Sequence, residues 1–222
     1  RNAFLNYVKN RSSKYIGFLD DDCEIPKDWL LNMIKFIKNK KCDVVGGPQH
    51  HKVKNPKFSK FFKIIEPKRK HNQSVDWIAT NNAFLKTILI KKNSIFFDNN
   101  LKNVGGSDQL FFKKLKRLNN DIRWNLNSFV IENYNKEREN LSWFLKRNLR
   151  YGYSGNLIDQ IVYGKIIGGF LSLFKSIYFL ALSLIYLLQI YKYENLYKSI
   201  FFVFRFFGRI LGLLNYTPKK YI

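Results

Sequence analysis

The stretch Tyr15-Ile16-Gly17-Phe18-Leu19-Asp20-Asp21-Asp22 decides how this chain is read. A short, mostly apolar run bounded by polar residues reads as a buried strand. Three carboxylates follow it at once, at the carboxyl edge where open α/β sheets bind ligands. Adjacent acids repel one another unless a hard cation neutralises them, and magnesium or manganese accepts such oxygens while bridging to phosphates. The competing reading is a solvated acidic turn. The apolar strand, and a chain with 16 acids against 39 Lys and Arg, favour the cation. An EF-hand is excluded, because the sixth and twelfth positions from Asp20 are Ile25 and Leu31 rather than Gly and Glu. A phosphatase loop of the Asp-x-Asp-x-Thr type is excluded by Glu24.

Outward from that stretch the pattern alternates between strands and helices. Upstream, Ala3, Phe4, Tyr7 and Val8 share one face of a short helix. Downstream, Pro26 opens a helix that carries Trp29, Leu30, Met33, Ile34 and Ile37 at helical spacing. Asp43 to Pro48 reads as a second strand ending in a glycine turn. Residues 49 to 75 are basic and irregular, with one helix near Phe58 to Ile65, and His50 and His51 read as loop histidines. Trp77 to Leu85 reads as a strand, a turn at Thr80-Asn81-Asn82 and a helix start. Gly105-Gly106 precedes Ser107-Asp108, either of which suits a helix N-cap. Leu110, Phe111, Leu115 and Leu118 continue that helix. One or two strands are expected over Ile122 to Ile131, then a basic helix over Asn140 to Tyr151.

In their order and spacing, Arg1-Asn2-Ala3, the strand into Asp20-Asp21-Asp22, Val45-Gly46-Gly47-Pro48, Thr80-Asn81-Asn82, Phe97-Asp98, Gly105-Gly106-Ser107-Asp108 and Arg138 with Trp143, Arg147, Arg150 and Gly152 resemble family 2 glycosyltransferases. The resemblance is to the bacterial exopolysaccharide enzymes of the succinoglycan type, and it runs from Arg1 to about Gly155. It implies a partial GT-A fold of class α/β, a mixed sheet flanked by helices. It implies inverting transfer from a nucleoside-diphosphate sugar, a UDP-sugar by default, to a saccharide or polyprenyl-linked acceptor. Asp20 and Asp22 match the family's Asp-x-Asp motif and would hold manganese or magnesium on the donor diphosphate, and Asp21 between them is placed with the donor-diphosphate-binding residues. Asp108 matches the catalytic aspartate, where a carboxylate takes the proton of an attacking hydroxyl. Ser107 departs from the family's usual Glu at that position. Trp77, Thr80, Asn82 and Ser107 match the acceptor side. Arg138, Arg147 and Arg150 would neutralise the departing diphosphate, since guanidinium forks fit phosphate oxygens. Glu132 follows a strand where some relatives place a metal-binding or structural side chain, and a surface salt bridge explains it equally well.

Composition shifts after Gly155. Ile166 to Tyr191 approaches the length and hydropathy of a membrane-crossing helix, with Lys175 a costly interior charge. Leu196 to Leu214 mixes Lys198, Arg205 and Arg209 among phenylalanines, the pattern of an interfacial helix. A catalytic portion over 1–155 and a membrane-associating helical tail over 156–222 are therefore expected. Cationic flanks point to the cytoplasmic face of a bacterial inner membrane, peripheral or single-span. The start at Arg1 reads as mid-domain, so further sequence upstream is expected.

The net charge of +23 attracts nucleic acid, anionic lipid or diphosphates alike. No RNP-like motif, zinc finger or helix-turn-helix accompanies it, so no nucleic acid is expected. Cys23 and Cys42 form neither a CxxC pair nor a disulfide framework. The rivals to an enzyme are a non-catalytic basic binding protein and a glycosyltransferase-like pseudoenzyme.

Overall fold

The computed structural model describes residues 1–134 and 136–216. They belong to two compact units that interleave along the chain. The first comprises Arg1–Lys52, Pro67–Asp98 and Ser107–Tyr134; the second comprises Val53–Glu66, Asn99–Gly106 and Asn135–Ile222.

The first unit holds two sheets. Strands β1 (Tyr15–Leu19), β5 (Asn82–Lys86), β3 (Val44–Gly46) and β6 (Ile122–Trp124) lie in the order β1-β5-β3-β6. Only the β3–β6 pairing is parallel. Strands β2 (Cys23–Glu24), β7 (Val130–Asn133) and β4 (Gln49–Lys52) form the second sheet, with β4 and β7 parallel. Successive strand residues face opposite sides, and here they feed two cores. Val44 and Leu85 enter one with Leu5 and Val8 of α1 (Asn2–Lys9), Ile90 of α4 (Ile88–Asn93) and Phe111 and Leu115 of α5 (Ser107–Arg117). Val45 and Phe84, one residue away on each strand, enter the other with Trp29, Met33 and Ile37 of α2 (Trp29–Asn39). The result is a mixed sheet between two helical layers.

Three expectations are corrected here. The β1 run is not a fully buried strand: β1 stands at the end of its sheet, its burial alternates, and Leu19 is 41% exposed. A short apolar run does not distinguish an interior strand from a half-buried one. His50 and His51 lie in β4 rather than a loop, because pairing with β7 satisfies their backbone. Thr80 to Asn82 starts no helix. The strand begins at Asn82, and α4 follows at Ile88.

The second unit is helical: α3 (Pro56–Ile65), α6 (Leu141–Tyr163), α7 (Lys165–Leu187) and α8 (Tyr193–Leu213). Helix α6 starts where the Asn140 side chain accepts from the Trp143 amide at 2.8 Å and runs unbroken through residues 155 and 156. Gly164 alone joins it to α7, at a φ of +84° that L side chains rarely adopt. The buried residues of α7 are Gly168, Ser172, Ser176 and Ser183. On α6 and α8 they include Asn148, Gly152, Gly155, Asn156, Asn195, Ser199, Gly208 and Gly212. A Cβ added to Gly208 would lie 2.0 Å from the Leu149 carbonyl oxygen, and one on Gly152 would lie 2.1 Å from that of Arg205. The backbones of α6 and α8 therefore touch, which only small residues permit.

Candidate active site

Asp20 and Asp108 come together in the first unit through one side chain. Arg1 donates from Nη1 to Asp108 Oδ1 at 2.6 Å and from Nη2 to Asp20 Oδ1 at 3.2 Å. Its position is set by the next residue: the Asn2 amide donates to the Phe97 carbonyl and accepts from the Phe97 N–H, both at 2.9 Å. The guanidinium also lies over the Phe97 ring. The Arg1-Asn2 pair and Phe97, far apart in sequence, thus form one device that spans the two carboxylates.

Asp108 sits in the first turn of α5, where the helix dipole favours a negative charge. Its Oδ2 accepts from the Thr80 N–H at 3.1 Å and from the Thr80 hydroxyl at 2.8 Å. Ser107 Oγ is 3.4 Å from Oδ1. Thr80, matched to the acceptor side in sequence, therefore orients the Asp108 carboxylate, and Ser107 adjoins it.

Burial pushes the Asp20 carboxyl above its ordinary value; Arg1 opposes this, and the charges of Asp108 and Asp22 add to it. Asp21 is exposed. The Asp22 carbonyl accepts from the Asn133 N–H at 3.0 Å, which ties the acidic turn to β7. Among the described residues no three His, Cys, Asp or Glu side chains converge as a ready metal cage. The donor set, two carboxylates and no imidazole or thiolate, fits a hard cation that takes its remaining oxygens from a diphosphate and water.

Asn82 has another occupation. Its Oδ1 accepts from Trp29 Nε1 at 2.9 Å, and its Nδ2 donates to the carbonyls of Pro48 and Ser128 at 2.9 and 2.7 Å. It is 1% exposed. The side chain pins α2 and two loops to β5 and has no donor left for a sugar. Gly47 is part of the same knot, since an added Cβ would meet the Ser128 oxygen at 1.9 Å. Trp77 is half-buried against the core, and Arg69 lies between its ring and that of Trp124, 4.9 and 4.5 Å from their centroids.

Glu132 is buried rather than a surface salt bridge. Its Oε2 lies 3.5 Å from His51 Nδ1 and 3.4 Å from Asn81 Nδ2, and its strand partner is Cys23, next to Asp22. This polar group beside the acidic turn is the part of the site that sequence reasoning undervalued. Its signal was a histidine and a glutamate in two short segments that later pair in parallel. A basic cavity lined by Ser13, Lys14, Tyr15, Lys86, Thr87 and Lys91 lies at the start of β1, the far end of that strand from Asp20.

Arg138, Arg147 and Arg150 belong to the second unit. Arg147 Nε donates to the Tyr151 hydroxyl at 2.5 Å and its guanidinium covers the Trp143 ring. Arg150 packs on Gly105.

Residues 1–97 match the family model described as glycosyl transferase family 2. The chain is 25% identical over 163 residues to the succinoglycan biosynthesis protein ExoM of Rhizobium meliloti (strain 1021), covering 71% of this chain and 52% of that protein. It thus spans about half the length of that relative. Among solved structures, mannosyltransferase PcManGT from Pyrobaculum calidifontis, in complex with GDP-Man and Mn2+, superposes with a TM-score of 0.56 at 14% identity. That match covers 97% of this chain and 67% of the other, and shows a shared fold. S. aureus TarS 1-349 in complex with UDP-GlcNAc gives a TM-score of 0.47 at 18% identity, over 72% of this chain and 49% of that one.

Proposed function

We propose that this chain, whose residues 1–97 match the glycosyl transferase family 2 model, is the acceptor-side portion of an inverting enzyme that moves a sugar from a nucleoside diphosphate to a saccharide. The observation that carries the reading is the Arg1 bridge between Asp20 and Asp108. It draws a carboxylate suited to proton removal and one suited to cation binding within reach of a single guanidinium.

In this reading Asp108 accepts the proton of the acceptor hydroxyl as its oxygen bonds to the anomeric carbon and the bond to the diphosphate breaks on the opposite face. Thr80 holds one oxygen of that carboxylate, which leaves the other as the base. Its own contact with Arg1 must give way to the hydroxyl, so Arg1 would move aside when substrates enter. A manganese or magnesium ion held by Asp20 and Asp22 would neutralise charge on the departing diphosphate. Arg138, Arg147 and Arg150 are assigned to phosphate oxygens.

The same reading includes a lipid-linked acceptor and a membrane partner on the cytoplasmic side. Helix α7 supports the membrane partner alone: it is long and apolar enough to cross a bilayer and mostly unburied. Its outer face carries Ile166, Phe170, Phe174, Ile177 and Leu184, an unusually large apolar surface for a soluble protein.

The test is manganese-dependent turnover of nucleotide-sugars by the full-length protein. Asp108→Asn and Asp22→Ala should each cut transfer by at least about 10²-fold while leaving the circular dichroism spectrum intact. Wild-type turnover in both variants would overturn this assignment of the site, and no turnover by the unsubstituted protein would end the enzyme reading and leave a basic membrane-binding protein.

A further inference from the structure

The sheet unit stacks one guanidinium on two indoles. Arg69 lies 4.9 Å from the centroid of the Trp77 ring and 4.5 Å from that of Trp124. Such stacking orients a guanidinium through its faces and leaves its in-plane N–H donors for another partner. Among the described residues, which include every Asp and Glu, nothing hydrogen-bonds to this guanidinium or forms an ion pair with it. None of its nitrogens is shut away from solvent. Burial pushes its pKa down to about 10, against the field of Asp76, so it stays charged at neutral pH. Asp76 itself is exposed.

The sheet topology gives this stack its place. Strand β1 is antiparallel to β5, β5 is antiparallel to β3, and β3 is parallel to β6, so β1, β3 and β6 all end at one sheet edge. Their register lines up Leu19 with Asn82, Ala83 with Gly46 and Gly46 with Trp124. Asp20 follows Leu19, and Thr80, which holds Asp108, stands just before Asn82. Two strand spacings separate Trp124 from β5, about 10 Å at about 4.8 Å each. The loop after Arg69 is pinned there: the Asn72 N–H donates to the Trp124 carbonyl at 2.8 Å, and the Trp124 N–H donates to the Gln73 carbonyl at 3.0 Å. The stack thus stands at the carboxyl edge, where open α/β sheets take ligands. In strand order Thr80 separates it from the acidic turn. With the cation site at β1 and the base beside Thr80, a ligand group that reaches β6 belongs to the acceptor. An oriented guanidinium fork with free donors selects an oxyanion.

We propose that Arg69, oriented by Trp77 and Trp124, is a docking point for an oxyanion on the acceptor, which makes that acceptor an anionic saccharide. A sugar carboxylate and a sugar phosphate ester both carry this chemistry. The acceptor role rests on the proposed sugar transfer; the binding does not.

The experiment uses the full chain without nucleotide-sugar or divalent cation, at physiological salt. Trigalacturonic acid, glucose 6-phosphate and neutral maltotriose are titrated by calorimetry. Tryptophan fluorescence reports the place of binding, since Trp77 and Trp124 are two of the chain's four tryptophans. At least one of the two acids should bind and shift that fluorescence, and maltotriose should do neither. Binding of trigalacturonic acid alone identifies a carboxylate, of glucose 6-phosphate alone a phosphate ester, and of both an oxyanion of either kind. Arg69→Gln should weaken binding about tenfold or more, as expected for charge-assisted hydrogen bonds. Arg69→Lys should fall between, because it keeps the charge and loses the fork. The exposed neighbour Lys68→Gln should stay within about twofold of wild type, its charge being screened. Asp76→Asn should bind about twofold more tightly, through the loss of a repelling charge. Unchanged affinity in Arg69→Gln, an equal loss in Lys68→Gln, or no binding of either acid by the unsubstituted chain overturns the docking point. If Arg69→Gln lowers the thermal midpoint, Arg69→Lys and Asp76→Asn decide: opposite shifts in affinity support the fork, and no shift in either overturns it. Binding that depends on Arg69 in a chain that turns over no nucleotide-sugar would reject the transfer reading and leave the oxyanion site standing.

Discussion

The two units place opposite chemistry inside and outside. The sheet unit buries Phe, Leu, Ile and Val in two cores, and its acidic turn and Asp108 carboxylate meet solvent. In the helical unit the contacts of α6, α7 and α8 are made largely by Gly, Ser and Asn, with Asp159 and Arg209 buried beside Phe144, Ile158 and Phe201, while large apolar side chains line the outer face of α7. In water the first arrangement gains from removing apolar surface. The second gains part of its stability that way, through Phe144, Ile158 and Phe201, and its helices also hold together by close backbone packing and internal hydrogen bonds. One chain therefore carries two solutions to stability, each suited to a different solvent.

Substitutions can break or sharpen that contrast. The largest effect expected is on chemistry alone: Asp108→Asn should cut turnover by about 10²–10⁴-fold, the worth of a general base, with the thermal midpoint little changed. A fall in midpoint that parallels the loss of turnover would assign Asp108 to the fold instead. Asp159→Ala should do the reverse. It strips the 1%-exposed carboxylate from between Lys175 and Arg209, at a cost of about 3–5 kcal/mol. Helical signal in detergent should melt early, and an unmoved melt would show that the ion cluster contributes nothing.

A matched pair of phenylalanines then compares the two surfaces. Phe111→Ala empties a site 1% exposed in the sheet unit and should cost about 3–5 kcal/mol. Phe174→Ala removes a ring 72% exposed on α7 and should change stability by no more than about 0.5 kcal/mol. Its effect should appear in vesicle flotation, through the apolar area no longer given to lipid. Equal destabilisation by both would mean that α7 is covered by protein, and the contrast between the units would fall.

What could be read from sequence follows the range of the interactions. Tyr15 to Leu19, the acidic turn and the helix after Ser107 are local patterns, and the structure forms each of them. Asp108 stands where its motif places it, in the first turn of α5. Its holder Thr80 was also singled out, but as an acceptor contact, because a hydroxyl in a turn carries no sign of the partner it will meet 28 positions away. Asn82 misled for a related reason: only three non-local contacts, to Trp29, Pro48 and Ser128, consume its amide. Glu132, His51 and Asn81 meet through a parallel register that no window of sequence displays. The Asp159 cluster did leave a trace, since isolated charges at Lys175 and Arg209 within apolar helices imply partners. Composition alone did not say which residue supplied the anion.

The Arg1 bridge has a consequence for how the cleft fills. On the proposed reading, a divalent ion arriving at Asp20 and Asp22 would meet one carboxylate that Arg1 already partly neutralises and would have to displace that guanidinium from it. Such an exchange would free a positive arm at the moment when a doubly charged phosphate group needs one. Loading should therefore be ordered and cooperative: metal and nucleotide together displace what neither dislodges well alone, and saturation curves for either should steepen when the other is present.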